Sequence, residues 1–513
     1  MHDNCFRTVC DPDIGTWDQL VITNREAMSG FVSILTASQK QSLRQKLITT
    51  AYDYTRHLST LVRDVDDKDI LSEKDITGGI DTVPIIMTGH QPVIYHCGIL
   101  YKNTILEQYS KARQAYGINV IIDTDAGDGG KFGYPFRSNT HLTVEESSIA
   151  THPGRLLMFQ HLFDRDTLIK VFSAINGSLA ELGLVRERSR LQEIEAVITS
   201  LAGVAVPEAN TLVRRYCEGA PHYYDIPLSS ILKFPECQLF FSHIIEDAEK
   251  FVPLFNSCLE KYRREHHIGN CINPFPNLCY SQDLFELPFW AVNKKSKQRK
   301  PLYIRKLGQL INLYSGDELI AQVDNAQYYA QAIPEHYFIA PRAVVTTLLL
   351  RMFCSDLFIH GLGGAEYDKF TDCFSRRYFD ITPPLFVKAS ADCYIFRKEV
   401  DMCEEKKAFL HRLREYYYHT ERYLDSGVFG MENDEKLRAL LSKKKGYIST
   451  LQLGTLTKKE RAGLAKGIHA VDNEMKSIID KSFTEKQQAY EQSIEESSID
   501  TYFFRKFPYF IFQ

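Results

Sequence analysis

Two histidines, His90 and His96, and two aspartates, Asp123 and Asp125, carry the strongest chemical signal in this 513-residue chain. The histidines lie in Thr88-Gly89-His90-Gln91-Pro92-Val93-Ile94-Tyr95-His96-Cys97-Gly98, directly after the apolar run Val83 to Met87. An imidazole titrates near neutrality, so either one is a candidate proton shuttle or hydrogen-bond donor. Gly89 and Gly98 permit close backbone approach, and Gln91 adds donors and an acceptor for a polar ligand. The aspartates open a second polar loop, Asp123-Thr124-Asp125-Ala126-Gly127-Asp128-Gly129-Gly130-Lys131, in which Asp128 is a third carboxylate. These groups would orient an amine or hydroxyls. A third loop, His360-Gly361-Leu362-Gly363-Gly364, runs on into Glu366 and Tyr367. Lys102, Arg342 and Arg351 are the cations placed to meet an anion. Arg351 follows Leu348-Leu349-Leu350, so its partly buried stem aims the guanidinium at a ligand phosphate or at a structural carboxylate.

Each loop also has an ordinary reading, since Asp-Gly and Gly-Gly pairs make turns and an aspartate before a helix caps it. Gly361-Leu362-Gly363-Gly364 fits neither the dinucleotide fingerprint nor the phosphate loop. Histidines six residues apart match no common zinc pattern, so no metal is expected. There is no G-x-S-x-G, and Cys97 reads as a small buried filler.

The loops need strands before them and helices after them. Phe31 to Val62, free of Pro and Gly, predicts a helical lead-in. Val83 to Met87 predicts a strand. Lys102, Ile105, Leu106, Tyr109, Ala112 and Tyr116 keep a three-to-four spacing that predicts an amphipathic helix stopping at Gly117. Gly117 to Asp123 then reads as a buried parallel strand, which completes a βαβ unit. A second unit is expected from a helix at Arg342–Phe353, a strand at Asp356–His360, the glycine turn and a helix at Ala365–Phe374. The fold class expected is α/β, a doubly wound parallel sheet in which ligands sit at the carboxyl ends of the strands.

Five segments follow. Residues 1–154 and 341–398 would form the core, and 155–340, with Pro-interrupted pieces such as Asn273-Pro274-Phe275-Pro276-Asn277, an insertion. Residues 399–490 would form an antiparallel helical hairpin joined through Gly427 and Lys443 to Gly446, because Cys403, Leu410, Leu413, Tyr417 and Leu424, and later Leu464, Ile468, Val471, Met475 and Ile478, keep a heptad-like rhythm. Residues 491–513 end in a tail too aromatic for water, expected to return to the core.

With 44% hydrophobic and 25% charged residues, the composition is that of an ordinary globular protein. A net charge of -4 and one short basic run, Lys294 to Lys300, give no nucleic-acid footprint. No apolar stretch reaches the roughly 20 residues of a membrane span, and Ala343 to Leu350 is the longest. Twelve cysteines without a C-x-x-C pair, and an amino terminus without an apolar run, predict a reduced, cytoplasmic chain with a small-molecule substrate. The cofactor is left open, with a nucleotide such as ATP or ADP the candidate.

Thr88-Gly89-His90-Gln91-Pro92, with Gly98 and Tyr101-Lys102, resembles the turn and helix start of the bacillithiol-biosynthesis cysteine-adding enzyme family. That family has T-G-Q-Q-P-G followed by Gly-Pro-Leu-Tyr-x-x-x-Lys. The order of a helical lead-in, an acidic motif, Gly363-Gly364-Ala365-Glu366-Tyr367 and a carboxyl-terminal coiled coil is similar as well. The chain departs at His90, at Gly98-Ile99 and at Asp123-Thr124-Asp125, where the family has Gln, Gly-Pro and Glu-Asp-His-Asp. The resemblance implies a nucleotidyltransferase-like Rossmann core, dimerisation through the coiled coil, and a ligase reaction joining cysteine to a glucosaminyl acceptor. It also implies binding roles for Gly89, His90, Gln91, Asp123, Asp125, Gly364, Glu366 and Tyr367. A non-catalytic Rossmann-like binding or scaffold protein and a sugar or nucleotidyl transferase are the alternatives.

Overall fold

Alternate residues of the first apolar run feed two different cores. Ile85 and Met87 pack with Leu43, Leu47 and Ala51, whereas Ile86 packs with Ile105, Leu106 and Tyr109. A strand divides its side chains this way when helices cover both faces of its sheet. The computed structural model describes residues 5–31, 34–61, 79, 82–138, 141–150, 157–219, 221–419, 424, 430–431, 433–452, 456–491 and 498–512. In chain order its strands are β1 Cys5–Asp11, β2 Ile85–His90, β3 Tyr116–Ile121, β4 Lys131–Ser138, β5 His141–Ser148, β6 Tyr224–Pro227, β7 Leu284–Asn293, β8 Gln298–Leu307, β9 Leu310–Ser315, β10 Glu318–Val323, β11 Tyr337–Pro341, β12 Leu357–His360 and β13 Phe386–Cys393.

Six of them form a mixed sheet in the order β1-β13-β12-β2-β3-β6, with every pairing parallel except β1 with β13. From β2 the chain moves outward through β3 to β6, then returns to the other side of β2 for β12 and β13. The strand order therefore reverses between β2 and β12, where an α/β sheet opens a crevice at its carboxyl rim. β6 lies inside the stretch expected as an insertion, so that stretch also completes the core sheet. The rest of it supplies an antiparallel sheet, β10-β9-β8-β7-β11. Pro288 sits in β7 where the register shifts between Glu286 and Trp290, a place where a missing N–H is tolerated.

The helical lead-in runs from Ala37 to Thr60 and opens with a Thr36–Gln39 capping box. The first crossover helix, Cys97–Arg113, stops earlier than expected, because Gln114 takes the left-handed conformation at φ 51. Gly117 is a strand residue. A Cβ there would meet Ser110 Oγ at 2.5 Å and Tyr223 Cβ at 2.8 Å, so helix and strand pack too closely for a side chain. Gly117→Ala is expected to cost about 1–3 kcal/mol by overpacking, read as a lower urea midpoint. An unchanged midpoint would mean that both neighbours move aside freely. The glycine turn after β12 is also corrected: Gly361 caps a helix that starts at Leu362 and ends at Tyr378, so Gly363 and Gly364 lie within its first turns.

A buried charge cluster crosses β3 and β6. Arg214 and Arg215 both donate to Asp225, with Arg215 Nη1 at 2.8 Å, and Asn119 Nδ2 donates to the same carboxylate at 2.7 Å. Arg214 also donates to Glu218 at 3.0 Å, and Tyr223 donates to that carboxylate. Burial pushes the Glu218 carboxyl up to about 8, and its Oε1 has no partner. The native state then holds a proton that the unfolded chain loses above about pH 4.3. Stability should fall as pH rises from that value through about 8, and Glu218→Gln should flatten that slope. Melting temperatures from pH 5 to 9 check it; parallel curves for the two proteins would refute the assignment.

Two compact units divide the chain: Met1–Arg137 with Val144–Cys393 and Arg505–Gln513, and Ser138–Thr143 with Tyr394–Phe504. The aromatic tail does return. Phe507, Tyr509, Phe510, Ile511 and Phe512 are buried in the first unit, where Phe510 packs on Phe132 and Phe172. Among the described residues the second unit has three long helices, Arg397–Tyr418, Glu435–Gln452 and Lys458–Glu491, and a short one, Ile499–Tyr502, where a pair was expected. Lys443 to Gly446 is not a link but mid-helix, because Leu437, Leu440, Leu441 and Lys444 form one continuous buried stripe. Lys444 pairs with Asp472 at 2.7 Å, and Gly427 lies outside the described residues. Part of the apolar rhythm is used within the unit, where Leu413, Val471, Met475 and Ile479 pack together, whereas Leu464 and Ile468 are half-buried. No helix among the described residues is long and apolar enough to cross a membrane.

Candidate functional site

The carboxyl ends of β2 and β12 are tied side by side, with Thr88 Oγ1 donating to Ile359 O at 2.8 Å. His90 and His360 therefore end neighbouring strands at the point of order reversal, and the early histidine loop and the late glycine motif share one rim. Lys102 reaches the same place from the crossover helix and donates to Gly89 O at 2.9 Å. Its side chain is 3% exposed, and among the described residues no carboxylate pairs with it. Burial lowers the ammonium to about 8, close to the range in which an amine is a useful base. His90 is held down to about 3 by burial and then by Lys102, so it is a neutral imidazole at neutral pH. Its Nδ1 lies 3.0 Å from Gln91 O, so the ring N–H donates to that carbonyl and Nε2 is left as an acceptor.

Behind His360 stands a chain of charges. Its Nε2 lies 2.7 Å from Asp368 Oδ2, and Arg351 donates to Asp368 at 2.7 Å and to Asp372 at 2.8 Å. Arg351 is therefore committed to structural carboxylates. Burial lowers the His360 imidazole in spite of Asp368, which opposes that shift. Gly364 packs closely here, since a Cβ would come within 3.1 Å of His360 Nδ1 and the imidazole would have to give way.

The second loop meets the first directly. Gln91 Nε2 donates to Asp125 Oδ2 at 2.7 Å, and Arg299 Nη1 donates to Asp125 Oδ1 at 2.8 Å. Arg299 and Arg342 both stack on Trp290, at 4.7 and 4.2 Å from its ring centre, and Arg342 donates to Glu286 at 2.7 Å. A polar chain thus leads from the rim to the second sheet. Asp123 is buried and accepts from the amide and hydroxyl of Ser229, and burial raises its carboxyl. Asp128 accepts from Gly130 N at 3.0 Å, as a turn former does.

Other expected residues are placed elsewhere. His96, at φ 74, accepts from Gly98 N through Nδ1 and donates its amide to Phe507 O, so it caps the crossover helix and anchors the tail. Gly98 is a packing glycine, because a Cβ would meet Ser390 Oγ at 2.5 Å. Glu366 is exposed and pairs with Lys369, and Tyr367 is 52% exposed. Ser229, Arg299, Trp290 and Asn210 were not anticipated. Only the position of Ser229 after β6 could have signalled one of them. A cavity of about 20 Å³, lined by His90, Asn103, Asn119, Asn210, Arg214 and Tyr509, has room for about one water. Among the described residues no group of three or more His, Cys, Asp and Glu side chains is arranged to hold a metal ion.

No family model matches the chain, and no curated protein matches it. The likeness to the cysteine-adding enzymes rests on the short motifs Thr88 to Pro92, Gly98, Tyr101-Lys102 and Gly363 to Tyr367 and on the order of segments around them.

Proposed function

We propose that this chain is a cytoplasmic enzyme of the ligase type, joining an amine or amino acid to a small sugar-derived acceptor on a Rossmann-like core. The observation that carries the reading is the meeting of His90, Lys102 and His360 where the strand order reverses. Lys102 takes the proton from the attacking amine, and His90, neutral, accepts a hydrogen bond at Nε2 from a substrate amine or hydroxyl. Gln91, Asp125 and Arg299 orient polar substituents at the mouth, with Arg342 behind them. Self-association through the carboxyl-terminal helices belongs to the same proposal and would use surface other than the buried part of their apolar stripe.

A thermal-shift screen with cysteine, amino-sugar conjugates and nucleotides tests it. A specific ligand at 100 times its Kd stabilises the native state by about 2.7 kcal/mol. A shift from one of these classes, absent in His90→Ala, supports the reading, and no shift from any of them removes it. One observation favours a non-catalytic binding protein: Gln91, Asp123 and Asp125 are already satisfied internally, and the cavity beside Gln91 has room for about one water. Ligand binding without turnover would select that reading, and binding of a sugar nucleotide would select a transferase.

A further inference from the structure

The twelve cysteines are expected to be reduced, and two of them are neighbours. Cys258 lies on the buried face of the helix Ala248–Glu265, and Cys373 on the facing side of the helix Leu362–Tyr378. The Cys258 thiol donates a hydrogen bond to the Cys373 sulfur, and Arg377 Nη1 donates to the Cys258 sulfur from 3.4 Å. Arg377 and Ser257 are exposed, and Arg377 also donates to Ser257 Oγ at 3.2 Å, so the pair lies one layer below solvent. Cys373 is half-buried and Cys258 is 0% exposed.

We propose that Cys258 and Cys373 form a thiol-oxidation site, in which a small hydroperoxide oxidises Cys373 and Cys258 resolves it to a disulfide joining the two helices. The half-buried Cys373 is the point of entry, since burial, and then Cys373 itself, push the Cys258 thiol up to about 11. Arg377 favours negative charge on the Cys258 sulfur at the resolving step. The Cys373 thiolate attacks one peroxide oxygen; the O–O bond breaks, an S–OH forms, and the other oxygen leaves as an alcohol or water with the thiol proton. The Cys258 sulfur then attacks the sulfenic sulfur; an S–S bond forms, the S–O bond breaks, and hydroxide leaves as water with the Cys258 proton. Two thiols lose two electrons, and the peroxide accepts them.

The full-length chain is treated with hydrogen peroxide, alkylated with N-ethylmaleimide, digested without reductant and mapped by mass spectrometry. A peptide joining Cys258 and Cys373 is expected, and dithiothreitol should abolish it. In Cys258→Ala, dimedone should label Cys373 as a sulfenic acid, and in Cys373→Ser the Cys258 thiol should remain alkylatable after unfolding. Because the first readout uses the unaltered chain, a folding defect in either variant does not blur it. Oxidation confined to the exposed Cys271 and Cys279, without the cross-linked peptide, would overturn the proposal.

Discussion

Asp225→Ala is expected to destabilise the protein by about 3–5 kcal/mol, the usual consequence of removing one partner from a buried charge network. Asp225 is the carboxylate on which Arg214, Arg215 and Asn119 all converge, and its side chain and that of Arg215 are fully buried. Without it two guanidiniums face a low-dielectric interior, where an unpaired charge is far more costly than a lost neutral contact. The nearest relief is Glu218, whose carboxyl is now pushed up by burial to about 8 and would be drawn down to ionise in compensation. The variant should therefore lose stability most at acid pH, where Glu218 stays neutral. Urea unfolding at pH 5.5 and pH 8.5 measures both effects. A loss under 1 kcal/mol at both would mean that the guanidiniums find solvent, and the buried network would not be what holds β6 to β3.

If the proposed ligase reading holds, His90→Ala should lower turnover by about 10²–10⁴-fold, the range for a positioned proton-transfer or hydrogen-bonding group, while leaving a cooperative melt. Lys102→Met is the informative companion. Burial depresses its ammonium to about 8, below the roughly 10.4 of an unfolded lysine. Between those values the unfolded chain holds a proton the native chain has lost, so stability rises with pH there and the burial cost is fully present below about 8. Lys102→Met should therefore be more stable than the unaltered chain at pH 7, yet inactive. A lysine that lowers stability when present is one retained for function. Full turnover in Lys102→Met would remove the amine from the mechanism, whereas loss of stability at pH 7 would show that its bond to the Gly89 carbonyl outweighs desolvation.

Much of the core was legible because its signals are local. The period of the lead-in helix, the β-branched run at β3 and the aromatic density of the tail each state which surfaces must be buried. The glycines misled for a related reason. Gly117 and Gly364 read as chain punctuation, but a Cβ on Gly117 would run into Tyr223, far away in the sequence, and one on Gly364 would crowd His360 at the end of β12. Lys443 to Gly446 was read as a link because charged residues and a glycine resemble a loop, although Leu440 and Lys444 keep the helical stripe intact.

By itself, then, the sequence determined an α/β protein with polar loops following β2, β3 and β12, because hydrophobic period and turn chemistry are properties of neighbouring residues. Only the tertiary structure decided which polar groups remain for a ligand. It spent His96 on a helix cap and Arg351 on Asp368 and Asp372, and it left Lys102 buried beside His90 and His360 with no carboxylate partner among the described residues. The reason is physical: burial and pairing set the charge and availability of a side chain, and both depend on residues far away in the chain.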